Sequence, residues 1–134
     1  MNVQIVIAQE KDVPQIIAMI SEFAEFEKLS EFCEVTEESL TDAMFGESSC
    51  VEGLMTFEGE KPIGYALFYE NFASFRGQRG LYLEDLYVKP EFRGHRIGES
   101  FLDAAPPDTV RNSMRFSNLA PSIMRSTKMP GVWI

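Results

Sequence analysis

The sequence predicts one α/β domain with a mixed, mostly antiparallel sheet flanked by helices. Residues 3–8, VQIVIA, are predicted to form a half-buried strand, and residues 13–23 carry apolar side chains at helical spacing. The middle of the chain reads as a series of strands separated by turn residues. The 134 residues have room for a single hydrophobic core, so we expect one domain spanning residues 1–134.

A second, short helix is predicted over residues 36–46, between the first helix and the strands. Thr36 is a favoured N-cap residue, and Glu37 and Glu38 place negative charge in the first turn, where the helix dipole favours it. Gly46 is expected to end this helix.

Residues 50–88 predict an antiparallel meander. The segment CVEGLMTFEGEKPIGYALFYENF reads as two strands joined at EGEKP, where Gly59 and Pro62 mark the turn, and GLYLEDLYV reads as a third strand. A helix should follow the turn FRGHRIG, and the prolines of APPD should end it after a turn or two. Beyond it, MRFSNL offers at most one short strand, so we expect the C-terminal strands of the sheet to be incomplete.

Composition and charge narrow the classes of partner. The net charge of −9 disfavours nucleic acid, because binding to phosphate backbones is driven by Lys and Arg. It favours a cationic small molecule, although acidic charge also serves solubility alone. No apolar run reaches the roughly 18 residues of a membrane span, and no targeting segment opens the chain, so we expect a cytoplasmic protein without a membrane partner. Two cysteines and one histidine predict neither a disulfide framework nor a metal site.

The turn FRGHRIG joins a predicted strand to a predicted helix. Such a turn exposes unpaired backbone N–H groups at the positive end of the helix dipole, where phosphate binds readily. Arg93 and Arg96 add positive charge there. The turn is therefore interpreted as a pyrophosphate site, with a loop whose glycines serve packing as the alternative. Its spacing matches neither G-x-G-x-x-G nor G-x-x-x-x-G-K-[ST].

Four segments follow one another along the chain: AEFEKL, VTEESLTDAMFGE, GYALFYENF and LYLEDLYVKPEFRGHRIG. Taken in this order, they resemble the GNAT N-acyltransferases, and among them most closely the diamine acetyltransferases of the spermidine/spermine type. The turn resembles motif A of that family, Q/R-x-x-G-x-G/A, with Arg96 standing where a glycine is usual. The resemblance implies the GNAT fold, and the side chain of Arg96 would have to point away from bound phosphates.

The resemblance also implies a site for acetyl-CoA as co-substrate, with no metal. Backbone groups of Leu86, Tyr87 and Val88 would hold the pantetheine arm as an added strand does. The turn from Arg93 onward would hold the pyrophosphate, largely through backbone amides. Its residues are Arg93, Gly94, His95, Arg96, Ile97, Gly98 and Glu99.

For the amine substrate, the resemblance implies roles for two acidic residues and for the end of the first helix. Glu84 would act as general base or orient the amine, with a solvated strand carboxylate as the alternative. Such a group is needed because an alkylamine with a pKa of about 10.4 arrives protonated and is no nucleophile until a proton is removed. Asp85, Phe26 and Glu27 would contact the substrate. The freed amine would attack the thioester directly, without an acyl-enzyme.

The family resemblance covers residues 1–103 and breaks down over residues 104–134. Family members carry a tyrosine near their carboxyl end that returns a proton to the departing thiolate, yet no tyrosine follows Tyr87 in this chain. Arg125-Ser126-Thr127 stands where Phe-Tyr-Glu is expected, and codons such as CGT TCT ACG AAA contain TTC TAC GAA in a shifted frame. We therefore hypothesise that small insertions or deletions scrambled this segment, with genuine divergence as the alternative.

The resulting expectation is an acetyl-CoA-dependent N-acetyltransferase that acts on a primary amine of a di- or polyamine or of a related small cation. The alternative is a non-catalytic protein that binds acyl-CoA or polyamine, or an inactive remnant, because the general-acid tyrosine is missing. The resemblance also makes a homodimer possible.

Overall fold

The computed structural model describes residues 2–74 and 77–104. Within these ranges the chain forms four strands and three α-helices, in the order β1 (Val3–Ile7), α1 (Val13–Phe26), α2 (Glu37–Phe45), β2 (Glu52–Glu58), β3 (Lys61–Ala73), β4 (Gln78–Val88) and α3 (Ile97–Ala104). The predicted strand MRFSNL and the hypothesised scrambled segment lie outside the described residues. The proposed division near residue 103 therefore stays a prediction.

The four described strands form one sheet in the order β1-β2-β3-β4, and each neighbouring pair is antiparallel. This confirms the predicted antiparallel meander and the predicted sheet flanked by helices. The turn between β2 and β3 lies at Gly59, but Pro62 belongs to β3, where it pairs with Phe57 beside a register shift. A proline is tolerated in a strand at such an irregularity because the ladder is interrupted there.

The predicted caps of α2 are confirmed. Thr36 accepts a hydrogen bond from the backbone N–H of Ser39 at 3.0 Å, and the Ser39 hydroxyl accepts one from the backbone N–H of Thr36 at 2.9 Å. This reciprocal pair satisfies two backbone donors that the helix start would otherwise leave unpaired. The helix ends at Phe45, directly before Gly46.

Apolar side chains cover both faces of the sheet. One cluster lies beneath α1 and α2 and contains Ala8, Val13, Ile16, Met19, Phe23, Leu40, Met44, Met55, Tyr65, Leu67 and Tyr87. The other lies beneath α3 and contains Leu54, Ile63, Ala66, Phe68, Leu86, Val88, Ile97 and Phe101. Since the side chains of a strand alternate between faces, successive residues of β4 lie beneath different helices.

A bulge interrupts the pairing of β3 with β4. Leu67 pairs with Asp85 and Phe68 pairs with Leu83, so Glu84 has no partner on β3. An extra residue of this kind twists the strand and redirects the side chains around it. The bulge therefore determines that Glu84 is unpaired and exposed, whereas Asp85 is paired with Leu67 and only partly exposed.

The helices in the described ranges are short. The longest, α1, has 14 residues, and none of these helices combines the length and the apolar character that crossing a bilayer requires.

Candidate active site

The turn between β4 and α3 presents backbone donors at the start of a helix. Its first helical hydrogen bond runs from the Ser100 N–H to the Arg96 carbonyl at 3.1 Å, and the Ser100 hydroxyl donates to the same oxygen at 3.0 Å. The amides of Ile97, Gly98 and Glu99 come before that bond, so the helix itself offers them no acceptor. The geometry is that of an anion site.

Two residues of this turn have a positive φ, which is 85° at Gly94 and 60° at Arg96. Glycine adopts this conformation freely, whereas a residue with a Cβ is strained by roughly 1–2 kcal/mol. The backbone of Arg96 therefore keeps the left-handed shape that suits the glycine usual at this place. Its side chain is exposed.

The side chain of Arg93 packs against β4 and α1. Its Nε donates to the Val88 carbonyl at 2.8 Å, and its guanidinium carbon lies 5.0 Å from the ring centroid of Phe26 and 5.6 Å from that of Tyr87. Cations are attracted to aromatic faces at such distances. Arg93 thus joins the turn to the end of α1, and the expectation that its charge adds to the anion site stays a prediction.

Leu86, Tyr87 and Val88 are almost fully buried, with at most 2% of each exposed. Leu86 and Val88 face α3, and Tyr87 faces α1. Their strand, β4, is the last of the sheet order, so among the described strands it has a neighbour on one side only. The backbone of its other edge is of the kind to which an extended molecule adds as a further strand.

Asp85 lies on the α1 side of the sheet beside a buried tyrosine. The Tyr65 hydroxyl donates to Asp85 Oδ2 at 3.0 Å, and Tyr65 is fully buried. The pKa of Asp85 is raised from 3.8 to about 6, mainly by burial, while the hydrogen bond from Tyr65 lowers it and the negative charge of Glu84 raises it. Burial and the neighbouring Asp85 also raise the pKa of Tyr65 well above its ordinary value. The carboxyl group of Asp85 therefore titrates close to neutral pH.

Glu84, the residue of the bulge, is exposed. Its charge raises the pKa of Asp85 and also that of Tyr69 on the neighbouring strand, where burial is the larger cause. The structure thus brings Glu84 and Asp85 together and gives them different surroundings.

A second polar network links β4 to α1. The Tyr87 hydroxyl donates to Glu22 Oε2 at 3.1 Å, and Lys89 Nζ donates to Glu22 Oε1 at 3.1 Å. Burial, followed by the charge and hydrogen bond of Glu22, raises the pKa of Tyr87 to about 12, so its phenol stays protonated at neutral pH. The ring of Tyr87 lies 5.4 Å from that of Phe23 and 6.0 Å from that of Tyr65. This network holds β4 against α1.

Phe26 is the last residue of α1 and Glu27 is its C-cap, and their contact with the substrate stays a prediction. Phe26 is about half exposed and carries the contact with Arg93. Glu27 Oε1 is buried and has no hydrogen-bond partner among the residues that the structure describes. The following residue, Lys28, turns the chain with a φ of 59°.

Sequence reasoning missed Tyr65 and Glu22. Strand alternation offered a signal for Tyr65, because it places this residue on the same face of β3 as Leu67, which pairs with Asp85, and a buried tyrosine hydroxyl needs a partner. Glu22 had no comparable signal, since a glutamate on a surface helix is ordinary.

Metal ligands do not cluster in the described part of the chain. No group of three or more His, Cys, Asp or Glu side chains there is arranged to hold an ion. His95 is exposed on the turn.

Residues 16–106 match the family model described as "Acetyltransferase (GNAT) family". Among curated proteins, the thialysine N-epsilon-acetyltransferase of Bos taurus is 39% identical over 103 residues, covering 71% of this chain and 60% of the relative. The protein of the same name from Caenorhabditis elegans is 40% identical over 92 residues, covering 69% of this chain and 56% of the relative. The chain thus spans about three fifths of the length of these relatives.

A more distant relative has a polyamine in its name. The spermidine/spermine N(1)-acetyltransferase-like protein 1 of Homo sapiens is 31% identical over 102 residues, covering 71% of this chain and 14% of that protein.

Solved structures share the fold at low sequence identity. An aminoglycoside acetyltransferase from an uncultured soil metagenomic sample, in complex with sisomicin, matches with a TM-score of 0.67 and 19% identity, covering 94% of this chain and 87% of that one. A ribosomal-protein-alanine N-acetyltransferase from Brucella melitensis matches with a TM-score of 0.58 and 16% identity, covering 88% and 75%. These likenesses support the fold alone.

Proposed function

Because the chain belongs to the GNAT acetyltransferase family, we propose that it transfers the acetyl group of acetyl-CoA to a primary amine of a small cationic substrate. Thialysine, di- and polyamines are the substrate classes that the names of its relatives suggest. The observation that carries the proposal is the turn from Gly94 to Glu99 at the edge of β4, with an acidic pair on the same strand.

The proposed acetyl-CoA site combines that turn with the edge of β4. The amides of Ile97, Gly98 and Glu99 would bind the pyrophosphate, together with the backbone of Gly94, His95 and Arg96. Backbone groups of Leu86, Tyr87 and Val88 would pair with the pantetheine arm. Arg93 would stabilise the turn through Val88 and Phe26. The donors and the open edge of the described sheet fit an anionic group followed by an extended chain.

The proposed amine site lies between β4 and the end of α1. Glu84 and Asp85 supply negative charge to an alkylammonium ion, and Asp85 is only partly exposed, so its charge is weakly screened. Phe26 and Glu27 would contact the rest of the substrate, and the buried Glu27 Oε1 is a free acceptor for an N–H group.

The reaction needs a base, an electrophile and a leaving group. A carboxylate of the acidic pair removes a proton from the ammonium, the amine attacks the thioester carbon, and the backbone N–H near Leu86 stabilises the oxyanion that develops. A thiol with a pKa near 8.5 leaves readily as a thiolate, which takes its proton from water. No tyrosine follows Tyr87 in these 134 residues, so water is the proton source in this proposal.

A second candidate function is binding of acyl-CoA or polyamine without turnover, and the missing tyrosine is the observation that favours it. The proposal also includes a cytoplasmic location and the formation of a homodimer. It includes no nucleic-acid or membrane partner.

A thiol-release assay separates the two functions. Purified protein is mixed with acetyl-CoA and either thialysine, spermidine or a neutral alcohol of similar length, and calorimetry measures CoA binding in parallel. Amine-dependent thiol release, reduced in the double variant Glu84→Gln, Asp85→Asn, supports the transferase, with the exposed Glu52→Gln as the matched control. Saturable CoA binding without thiol release supports the binding protein. If neither thiol release nor CoA binding is observed, both candidate functions are excluded.

A further inference from the structure

The two acidic residues of β4 differ in their surroundings. Glu84 stands exposed in the bulge without a partner on β3, whereas Asp85 is only partly exposed, is paired with Leu67 and accepts the Tyr65 hydrogen bond at 3.0 Å on the α1 face of the sheet. A general base must present an oxygen in a fixed place, because proton transfer depends on distance and direction. The fixed carboxylate is that of Asp85.

We propose that Asp85, rather than Glu84, takes the proton from the substrate ammonium, and that Tyr65 is a positioning residue that orients the Asp85 carboxylate. This inference rests on the proposed acetyl transfer. Glu84 then has a separate role, in which it attracts the cationic substrate and raises the pKa of Asp85.

Tyr65 is well suited to hold a carboxylate still. Its side chain is fully buried, and its ring packs 6.0 Å from Tyr87, whose own hydroxyl is tied to Glu22 on α1. A tyrosine locked on several sides donates its hydrogen bond in one direction. That bond engages Asp85 Oδ2, so Oδ1 is the oxygen that would take the proton in this proposal.

The charges around Asp85 favour this role. The titratable groups that act on it are Tyr65 from β3 and Glu84 from its own strand, while Tyr87 and Cys33 act in turn on Tyr65. With the pKa of Asp85 at about 6, the group is mostly ionised at neutral pH yet basic enough to accept a proton. A base with a pKa near the working pH is the efficient one.

The proton and electron balance is as follows. One ammonium proton passes to the free oxygen of Asp85 and then to solvent. The nitrogen lone pair forms the N–C bond to the acetyl carbonyl carbon, and the C–S bond breaks with its electron pair going to sulfur. The second proton lost by nitrogen balances the proton that the thiolate takes up, so the products are an amide, a thiol and one proton.

The test is the pH dependence of kcat/KM in four single variants of the full chain. Asp85→Asn should lower kcat/KM by about 10²- to 10⁴-fold, the usual contribution of a general base. Tyr65→Phe removes a bond that lowers the Asp85 pKa, so the acid limb of the profile should move to higher pH. Glu84→Gln removes a like charge, so the same limb should move to lower pH, and KM for the amine should rise because the cation is attracted less strongly.

Tyr82→Phe is the matched control for loss of a hydroxyl, because Tyr82 is partly exposed and packs on Tyr69. It should leave the acid limb in place. Binding of CoA within threefold of the unaltered protein shows that each variant is folded.

Three outcomes overturn the inference. Asp85→Asn with at least a third of the original kcat/KM excludes Asp85 as the base. An activity lost in Glu84→Gln and kept in Asp85→Asn assigns the base to Glu84. An acid limb that Tyr65→Phe leaves in place removes the positioning role. If the unaltered protein shows no amine-dependent thiol release, the proposed function itself fails, which is a different result from any of these.

Discussion

The guanidinium of Arg93 lies 5.0 Å from the ring centroid of Phe26, and this contact joins the turn before α3 to the end of α1. The two sides of the proposed site, one for the cofactor and one for the amine, are thereby linked through a single side chain. The Nε–H bond to the Val88 carbonyl adds a tie to β4.

Replacing this arginine with lysine tests the link. Arg93→Lys keeps the positive charge but loses the planar group that both stacks and donates through Nε. We expect the free energy of unfolding to fall by about 1–2 kcal/mol and CoA to bind several-fold more weakly. Urea unfolding and calorimetry measure the two effects.

Arg79→Lys is the control for Arg93→Lys, because Arg79 forms an exposed ion pair with Glu70, at 3.2 Å. Its effect on stability should stay within about 0.5 kcal/mol. Equal changes in the two variants would contradict the joining role of Arg93.

Arg96 has a φ of 60°, in the region that glycine occupies without strain. Arg96→Gly should relieve that strain, and after the larger entropy of the unfolded glycine chain is subtracted, the net gain in stability should be about 0.5–1 kcal/mol. The midpoint of urea unfolding measures it. Arg96→Ala removes the same charge but keeps a Cβ, so it should give no gain, and a gain as large as that of glycine would show that charge rather than backbone strain is responsible.

Asp85 is expected to cost stability at neutral pH. Its folded pKa of about 6 lies above the ordinary 3.8, so the folded protein binds this proton more tightly than the unfolded chain does. Proton binding by Asp85 therefore favours the folded state below about pH 4, and this contribution to the free energy of unfolding is lost as the pH rises through 6. At 1.36 kcal/mol per unit, the cost at neutral pH is at most about 3 kcal/mol.

Asp85→Asn should consequently raise the melting temperature at pH 7.5 and leave it nearly unchanged or lower at pH 4. Glu52→Gln, at an exposed strand end outside the site, is the control with the same change of charge. Thermal unfolding at both pH values measures the difference. A variant that is less stable than the unaltered protein at pH 7.5 would contradict the raised pKa.

Gly64 packs against the backbone of β4. A Cβ added there would lie 2.6 Å from the Tyr87 carbonyl oxygen and 2.9 Å from Thr56 Cγ2. Gly64→Ala should therefore push β4 outward, with an unfolding cost of about 1–3 kcal/mol and weaker CoA binding. Chemical unfolding and calorimetry measure both quantities.

Gly59→Ala is the comparison for Gly64→Ala, since its added Cβ meets nothing within 4 Å and only its φ of 60° is unfavourable. It should cost about 1–2 kcal/mol in stability without changing CoA affinity. Unchanged CoA affinity in Gly64→Ala would show that the cofactor site does not depend on this contact.

Most of the described fold was predictable because its signals are local. The cap at Thr36 and the turn residues that separate the strands depend on neighbours within a few residues, and the α2 cap and the antiparallel strands were found where expected. The site was predicted less completely. The turn after β4 was recognised from its glycines and arginines, but the direction of the Arg93 side chain was not, because Phe26 lies far from it in sequence.

By itself, the sequence determined the antiparallel sheet, the helix order and the family resemblance, because periodicity, caps and motif spacing are properties of adjacent residues. Only the tertiary structure decided the difference between Glu84 and Asp85. These neighbours are both acidic, and what separates them is a bulge that leaves one in solvent and turns the other toward Tyr65. Register and burial arise from contacts between distant segments, and those contacts set the titration of Asp85.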